Sequence, residues 1–269
     1  MDLQLEENVA VILGAAQGIG RAIAAAFAAE GAATALVDRD ASVVETARLI
    51  ETEFGRPASG FTADVTKYDD LRRVAGDVLS QRGRLDQVVF AAGMGSGKFG
   101  FPFWNLEPAD WQRVLDVNLV GAANAAHAFA PPLVEAKRGS MLFISSIAGQ
   151  IGSQTDPPYS AAKAGLINFS QCAAKDLAPF NVRVNCICPG MVKTSLNQSV
   201  WAAWNELQPP DERQSYEVWA AEKIRRTVPL GRWQDPEDIA ALAVFLCSSR
   251  AKNITGQTMN VDGGQVMHW

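Results

Sequence analysis

Short, continuously apolar runs alternate along the chain with longer stretches in which apolar positions recur at helical spacing. Runs such as Val9-Ala10-Val11-Ile12-Leu13 and Met141-Leu142-Phe143-Ile144 are short and apolar on both faces, as strands buried inside a parallel sheet are. On this pattern strands fall near 8–13, 33–37, 59–63, 86–91, 140–146, 182–188 and 257–261. Helices fall near 18–30, 41–54, 67–82, 107–135, 157–178 and 235–248. The alternation predicts βαβ units with right-handed crossovers, hence an α/β doubly wound parallel sheet of about seven strands with helices on both faces. No repeat or low-complexity linker interrupts it, so residues 1–269 are expected to form a single dinucleotide-sized domain.

One stretch breaks the alternation. Residues 191–228 carry Trp201, Trp204, Tyr216 and Trp219, several charges and the pair Pro209-Pro210. A loop of that length in a compact domain commonly has a function of its own. Its tryptophans are expected either to cover a site or to pack against a neighbouring subunit.

Composition narrows the class. A hydrophobic content of 48% supplies a sizeable core, and a net charge of −5 argues against nucleic acid or an anionic membrane as the main partner. The first residues, Met1-Asp2-Leu3-Gln4-Leu5-Glu6-Glu7, are acidic and unlike a secretory leader, and charges, glycines or prolines interrupt every apolar stretch. A cytoplasmic protein is therefore expected. The four cysteines form no CxxC pair, and the two histidines, His127 and His268, are too far apart to suggest a metal site. Cys186 and Cys188, on the sixth predicted strand, are expected to be buried, reduced and on opposite faces.

The polar residues that remain point to proton and phosphate chemistry. The first strand runs into Gly14-Ala15-Ala16-Gln17-Gly18-Ile19-Gly20 and an alanine-rich helix. Backbone N–H groups and the helix dipole make such a turn an anion site, and the glycines let backbone approach a ligand closely. Asp38 ends the second strand, where a carboxylate can accept ribose hydroxyls and repel a 2′-phosphate. Tyr159 and Lys163 stand four residues apart and so share a helix face. A phenol ordinarily titrates near 10; a fixed cation beside it favours phenolate and is expected to lower that value. Ser146, thirteen residues upstream of Tyr159, is placed to bring a hydroxyl to that phenol, although Ser145 competes and strand alternation admits only one of them.

Asn118, within Asp116-Val117-Asn118-Leu119-Val120-Gly121, and Pro189-Gly190 after the sixth strand complete an ordered set. With the glycine turn, Ser146, Tyr159 and Lys163, this set resembles the short-chain dehydrogenase/reductase family over almost the whole chain. The resemblance implies a Rossmann-like fold and an oxidoreductase in which Tyr159 is general acid/base and Ser146 bonds the reacting oxygen. Lys163 would also hold the nicotinamide ribose, and Asn118 would bend its helix and anchor a water linking Lys163 to solvent. Cofactor contacts are implied for Gly14, Gln17, Gly18, Ile19, Gly20 and Asp38, for Asp64 and Val65 beside the adenine, and for Ala91 and Gly93 along the ribose. Pro189, Gly190, Val192 and Thr194 are implied at the nicotinamide end, Thr194 equally as a helix cap. Residues 191–228 become the substrate lid, and Gln154, Met191, Trp201 and Trp204 join Ser146 and Tyr159 as expected substrate contacts. Two positions depart from the family pattern: Leu13 replaces a threonine and Ala91 an asparagine, so apolar packing is expected to replace a polar tie between strand ends.

Asp38 and the uncharged Gln17 favour NAD, while Arg39 keeps NADP open. The expected activity is NAD-dependent interconversion of a secondary alcohol and its ketone. An NADPH-dependent carbonyl reductase and a dinucleotide-binding sensor without turnover are the competing readings. Phe99, Phe101, Phe103 and Trp104 suggest an apolar pocket for a cyclic or aromatic substrate; Lys98, Lys223, Arg225 and Arg226 suggest an anionic group. The ending Asn260-Val261-Asp262-Gly263-Gly264-Gln265-Val266-Met267 resembles polyol-oxidising members of the family. The resemblance also implies a homodimer or a homotetramer.

Overall fold

The computed structural model describes residues 2–153 and 155–268. Seven strands lie among them: β1 (Val9–Leu13), β2 (Ala33–Asp38), β3 (Ala58–Thr62), β4 (Gln87–Phe90), β5 (Gly139–Ile144), β6 (Val182–Pro189) and β7 (Thr258–Val261). They pair in parallel, in the order β3-β2-β1-β4-β5-β6-β7. The chain steps outward from β1 to β3, then returns to lay β4 on the other side of β1. A crevice therefore opens beyond the carboxyl ends of β1 and β4, where such sheets bind ligands.

Side-chain alternation divides the interior into two layers. Val9, Val11 and Leu13 face one core, shared with the helices α3 (Tyr68–Arg82), α5 (Gly121–Ala136) and α6 (Pro157–Leu177). Ala10 and Ile12 face the other, shared with α1 (Gly18–Ala29), α2 (Val43–Phe54) and α9 (Pro236–Cys247). Every residue of β1 is buried, which explains the unbroken apolar run in the sequence. The cysteine expectation is corrected here. Cys186 and Cys188 both face the first core while Ile187 faces the second, because residues two apart on a strand share a face.

The stretch read as one helix near 107–135 contains a fault. Helix α4 (Pro108–Leu115) and α5 are joined by a π turn over Asp116–Val120. Asn118 sits buried in that turn, and its side-chain amide donates to the Val114 carbonyl at 2.8 Å, a group on the interrupted ladder. Residues 191–228, left without elements by the sequence pattern, hold α7 (Ser195–Glu206) and α8 (Tyr216–Thr227). Thr194 and Ser215 cap them, accepting from the N–H groups of Asn197 and Val218. Among the described residues no helix is long and apolar enough to cross a membrane.

At the opposite end of the sheet, Asp86 holds three strands together. Its carboxylate accepts from the Val9 N–H at 2.9 Å and from Arg84 at 2.8 Å, and pairs with Arg138 at 3.3 Å. Its main chain meanwhile receives the Ser140 N–H. The carboxylate is buried, whereas both guanidiniums reach solvent, so its loss orphans one N–H and two partly hydrated cations. Asp86→Ala is expected to cost about 2–3 kcal/mol of stability, seen as a lower urea midpoint at unchanged slope. A midpoint equal to that of the parent would remove Asp86 from the anchoring of β1, β4 and β5.

Candidate active site

A cleft of about 530 Å³ lies along the carboxyl ends of the central strands. Its adenosine end is built from the turn between β1 and α1. Gly14 has a positive φ of 84°, and a Cβ there would stand 2.5 Å from the Ala92 nitrogen. A Cβ on Gly20 would stand 2.0 Å from the Gly14 carbonyl oxygen, so α1 reaches the turn only because neither residue has a side chain. Gln17 at the N-cap makes no side-chain cap, and no acidic residue occupies the first turn of α1. The N-terminal N–H groups and the positive end of the dipole therefore remain available to an anion. Asp38, at the end of β2, accepts from the Ala16 N–H at 3.0 Å and the Asp40 N–H at 3.1 Å. It braces the turn while bordering the cleft.

These features fit a dinucleotide: a glycine cradle that a Cβ would fill, an uncapped helix start for the pyrophosphate, and a carboxylate for the adenosine ribose. All the residues expected to hold the cofactor border the cleft except Gly18, whose positive φ serves the turn itself. Thr194 both borders it and caps α7. Asp64 borders it with its carboxylate occupied by the Thr66 N–H at 3.0 Å and hydroxyl at 2.8 Å, contacts that hold its pKa below the usual carboxylate range. The two departures from the family pattern are resolved by main chain and packing. Leu13 is fully buried, and its carbonyl accepts the Ala91 N–H at 2.8 Å, so β1 and β4 are tied there by the backbone.

The reacting end combines β5, α6 and the loop after β4. Strand β5 stops at Ile144, two residues short of the expected end. Both serines line the cleft, but the Ser145 hydroxyl is buried and donates to the Lys163 carbonyl at 2.8 Å, whereas the Ser146 hydroxyl hydrogen-bonds the Tyr159 phenol. The competition between the two serines is thus decided by the turn after β5. Helix α6 places Lys163 one turn beyond Tyr159, with its ammonium 5.5 Å from the ring centroid. That ammonium is buried and donates to the Ile144 carbonyl at 2.8 Å. Asn118 lies behind the cleft wall: its amide donates to the Met94 carbonyl at 2.7 Å, joining the π turn to the loop after β4. A Cβ on Gly93 would come within 2.9 Å of the Asn118 oxygen and 3.3 Å of the Lys163 nitrogen, so that glycine leaves room between them.

The electrostatics correct one expectation. Burial pushes the Tyr159 phenol up to about 12, and the neighbouring Asp156 carboxylate adds to this, while the Ser146 hydroxyl works the other way by stabilising phenolate. Burial also pushes Lys163 down to about 8. Desolvation is thus the dominant influence on both groups, and the Lys163 ammonium is directed at the Ile144 carbonyl.

The substrate expectations divide. Met191 borders the cleft, but Trp201 and Trp204 do not; Gln154 lies outside the described residues. Trp201 donates to the Gln214 carbonyl at 3.2 Å and meets the Tyr216 ring edge-on, and Trp204 packs on Trp219. These rings join α7 to α8 within the lid. Phe101, Phe103 and Trp104 are exposed and away from the cleft. Sequence reasoning missed Asp156, whose Oδ2 accepts the Ser96 N–H at 2.7 Å and whose buried Oδ1 has no partner among the described residues. Its position before Pro157 at the start of α6 was a cap signal that went unread. Gln265, which also borders the cleft, gave no signal in the sequence.

Comparison with known proteins agrees with this geometry. A family model described as enoyl-(acyl carrier protein) reductase matches residues 14–266. The 3-oxoacyl-[acyl-carrier-protein] reductase FabG of Thermotoga maritima is 32% identical over 267 residues, covering 98% of this chain and 100% of the relative. The (3R)-3-hydroxyacyl-CoA dehydrogenase of Mus musculus is 35% identical over 274 residues, covering 98% of each. The L-sorbose reductase of Gluconobacter frateurii, solved with NADPH and L-sorbose, superposes with a TM-score of 0.90 at 30% identity, covering 100% of both chains. A glycine cradle, a Ser146–Tyr159–Lys163 wall and relatives of matching length together place this chain in the short-chain dehydrogenase/reductase family of NAD(P)-dependent oxidoreductases.

Proposed function

We propose that the protein interconverts a secondary alcohol and its ketone, with NAD as the preferred dinucleotide. The observation that carries this reading is the convergence of Ser146, Tyr159 and Lys163 on the cleft that also contains Asp38. A bound nicotinamide supplies the hydride acceptor or donor. Ser146 orients the substrate oxygen beside Tyr159, and Tyr159 takes the alcohol proton in oxidation or returns one to the ketone oxygen in reduction. Lys163, held on the Ile144 carbonyl, keeps its nitrogen 5.5 Å from the ring centroid, where its charge while protonated favours phenolate.

NAD is favoured because the Asp38 carboxylate stands where a 2′-phosphate would enter, and like charges there repel. Arg39 favours the other reading, NADPH-dependent carbonyl reduction, since it borders the same end of the cleft. Asp38→Ser decides between them. The ratio of kcat/KM for NAD over NADP is expected to fall about tenfold or more. Equal losses with both dinucleotides would count against the assignment.

Tyr159→Phe is expected to lower turnover by about 10²–10⁴-fold while calorimetry still detects dinucleotide binding. Near-parental turnover would sink the mechanism. The pH dependence follows from the same group. Oxidation needs phenolate, so kcat/KM for the alcohol should climb about tenfold per pH unit on the acid side of the tyrosine's titration. Reduction needs the phenol and should decline on the alkaline side. Profiles of both directions that run parallel would exclude Tyr159 as the group that transfers the proton.

A further inference from the structure

Four cations were candidates for recognising an anionic substrate, and the fold separates them. Lys98 is paired with Asp110 at 2.7 Å, and Arg225 and Arg226 are exposed and away from the cleft. Lys223 alone of the four borders the cleft. It projects from α8 in the lid, half-buried, with its ammonium over the Trp219 ring at 4.6 Å. Among the described residues no carboxylate lies within ion-pair distance of it, although Lys193 elsewhere in the lid pairs with Asp235 at 3.2 Å. Burial lowers its pKa with no opposing charge beside it, as expected of a cation stripped of water and given no counter-ion. Asp156, the carboxylate that lines the cleft beside Tyr159 among the described residues, is buried against the loop after β4 and holds the Ser96 N–H.

Its surroundings are fixed in advance. The Trp219 ring stacks on Tyr216, whose hydroxyl donates to Asn197 on α7 at 3.2 Å, and Tyr216 also packs on Trp233. The aromatic cluster thus sets α8 against α7 and fixes the ring on which the ammonium rests. A positive charge held on an aromatic face inside a cleft attracts an anion more strongly than one in water does.

We infer that Lys223 is a specificity-determining residue that pairs with an anionic group of the substrate, a carboxylate, sulfonate or phosphate, at the end remote from the reacting oxygen. This rests on the alcohol–ketone reading above and narrows its substrate to hydroxy and oxo acids or their analogues, in preference to neutral polyols. The pairing adds no chemical step; it holds the substrate so that its hydroxyl meets Ser146 and Tyr159.

The test compares 3-hydroxybutyrate with its methyl ester, and gluconate with sorbitol, in the parent and in Lys223→Met and Lys223→Glu. In the parent the acid of each accepted pair should be preferred, and Lys223→Met should reduce that preference about tenfold or more, mainly through KM. Lys223→Glu should reverse it. Unchanged preference in Lys223→Met, a parent that prefers ester and polyol, or a rise in the KM for NAD shared by every substrate would each overturn the inference. A second measurement does not depend on turnover. Succinate, but not succinamide, should perturb the intrinsic tryptophan fluorescence saturably in the parent and not in Lys223→Met. If no alcohol is oxidised but succinate binds in this way, the catalytic reading fails and the anion site stands. If succinate does not bind, the anion site falls, whatever the activity.

Discussion

The site depends on two backbones meeting at the switch point of the sheet with no side chain between them. A Cβ at Gly14 would strike the Ala92 main chain, and one at Gly20 would strike Gly14 itself. Close approach lets β1 and β4 end side by side, tied by the Ala91 N–H on the Leu13 carbonyl. It also brings the start of α1 down onto the crevice. Because this contact is made by main chain, the side chains at Leu13 and Ala91 are free to be apolar, and a polar tie is dispensable. The same turn is braced from the side by Asp38, so the carboxylate proposed to discriminate between dinucleotides is also part of the scaffold that holds the glycines.

The reacting wall shows a different economy of charge. A buried ammonium and a buried phenol each pay desolvation, and their separation prevents one from fully offsetting the other. Lys163 is fixed at both ends: its carbonyl takes the Ser145 hydroxyl and its ammonium binds the Ile144 carbonyl. Rigidity of this kind suits a group whose value lies in position, since the attraction between a cation and a forming phenolate falls off with distance. Asn118 contributes to the same rigidity from behind, at the point where the π turn lets its amide leave the helix and hold the loop after β4.

What the sequence made legible was what backbone geometry dictates. Strand runs, the glycine spacing and the four-residue step from Tyr159 to Lys163 each correspond to one local conformation, and each appears in the fold. The turn that selects Ser146 over Ser145 was less visible, because β5 ends earlier than its apolar run suggested. The lid was legible only as an interruption. Trp201 and Trp204 looked like substrate contacts because aromatic residues serve pockets and cores equally well; their partners, Gln214, Tyr216 and Trp219, lie up to fifteen residues away across a helix–loop–helix turn. Asp156 was marked only by the Pro157 that follows it, and Gln265 reaches the cleft from a segment distant in sequence, a meeting that no local pattern marks.

The division between sheet and lid also explains why reaction class is easier to read than substrate. The groups proposed to move the proton stand on α6 and in the turn after β5, whose positions follow from the sheet, and a shift there would disrupt the core as well as the chemistry. The lid instead packs through its own small cluster, Met191, Ile224 and Val228 with Trp233, largely apart from the two main cores. Its residues can change without disturbing either core, so lid side chains are free to differ where catalytic ones are not. In such a segment a half-buried ammonium that rests on the Trp219 ring, with no carboxylate within ion-pair distance among the described residues, stands out. On the proposal above, the place of Lys223 on α8 would make substrate charge a property of the lid, separable from the proton transfer proposed for α6 and the turn after β5.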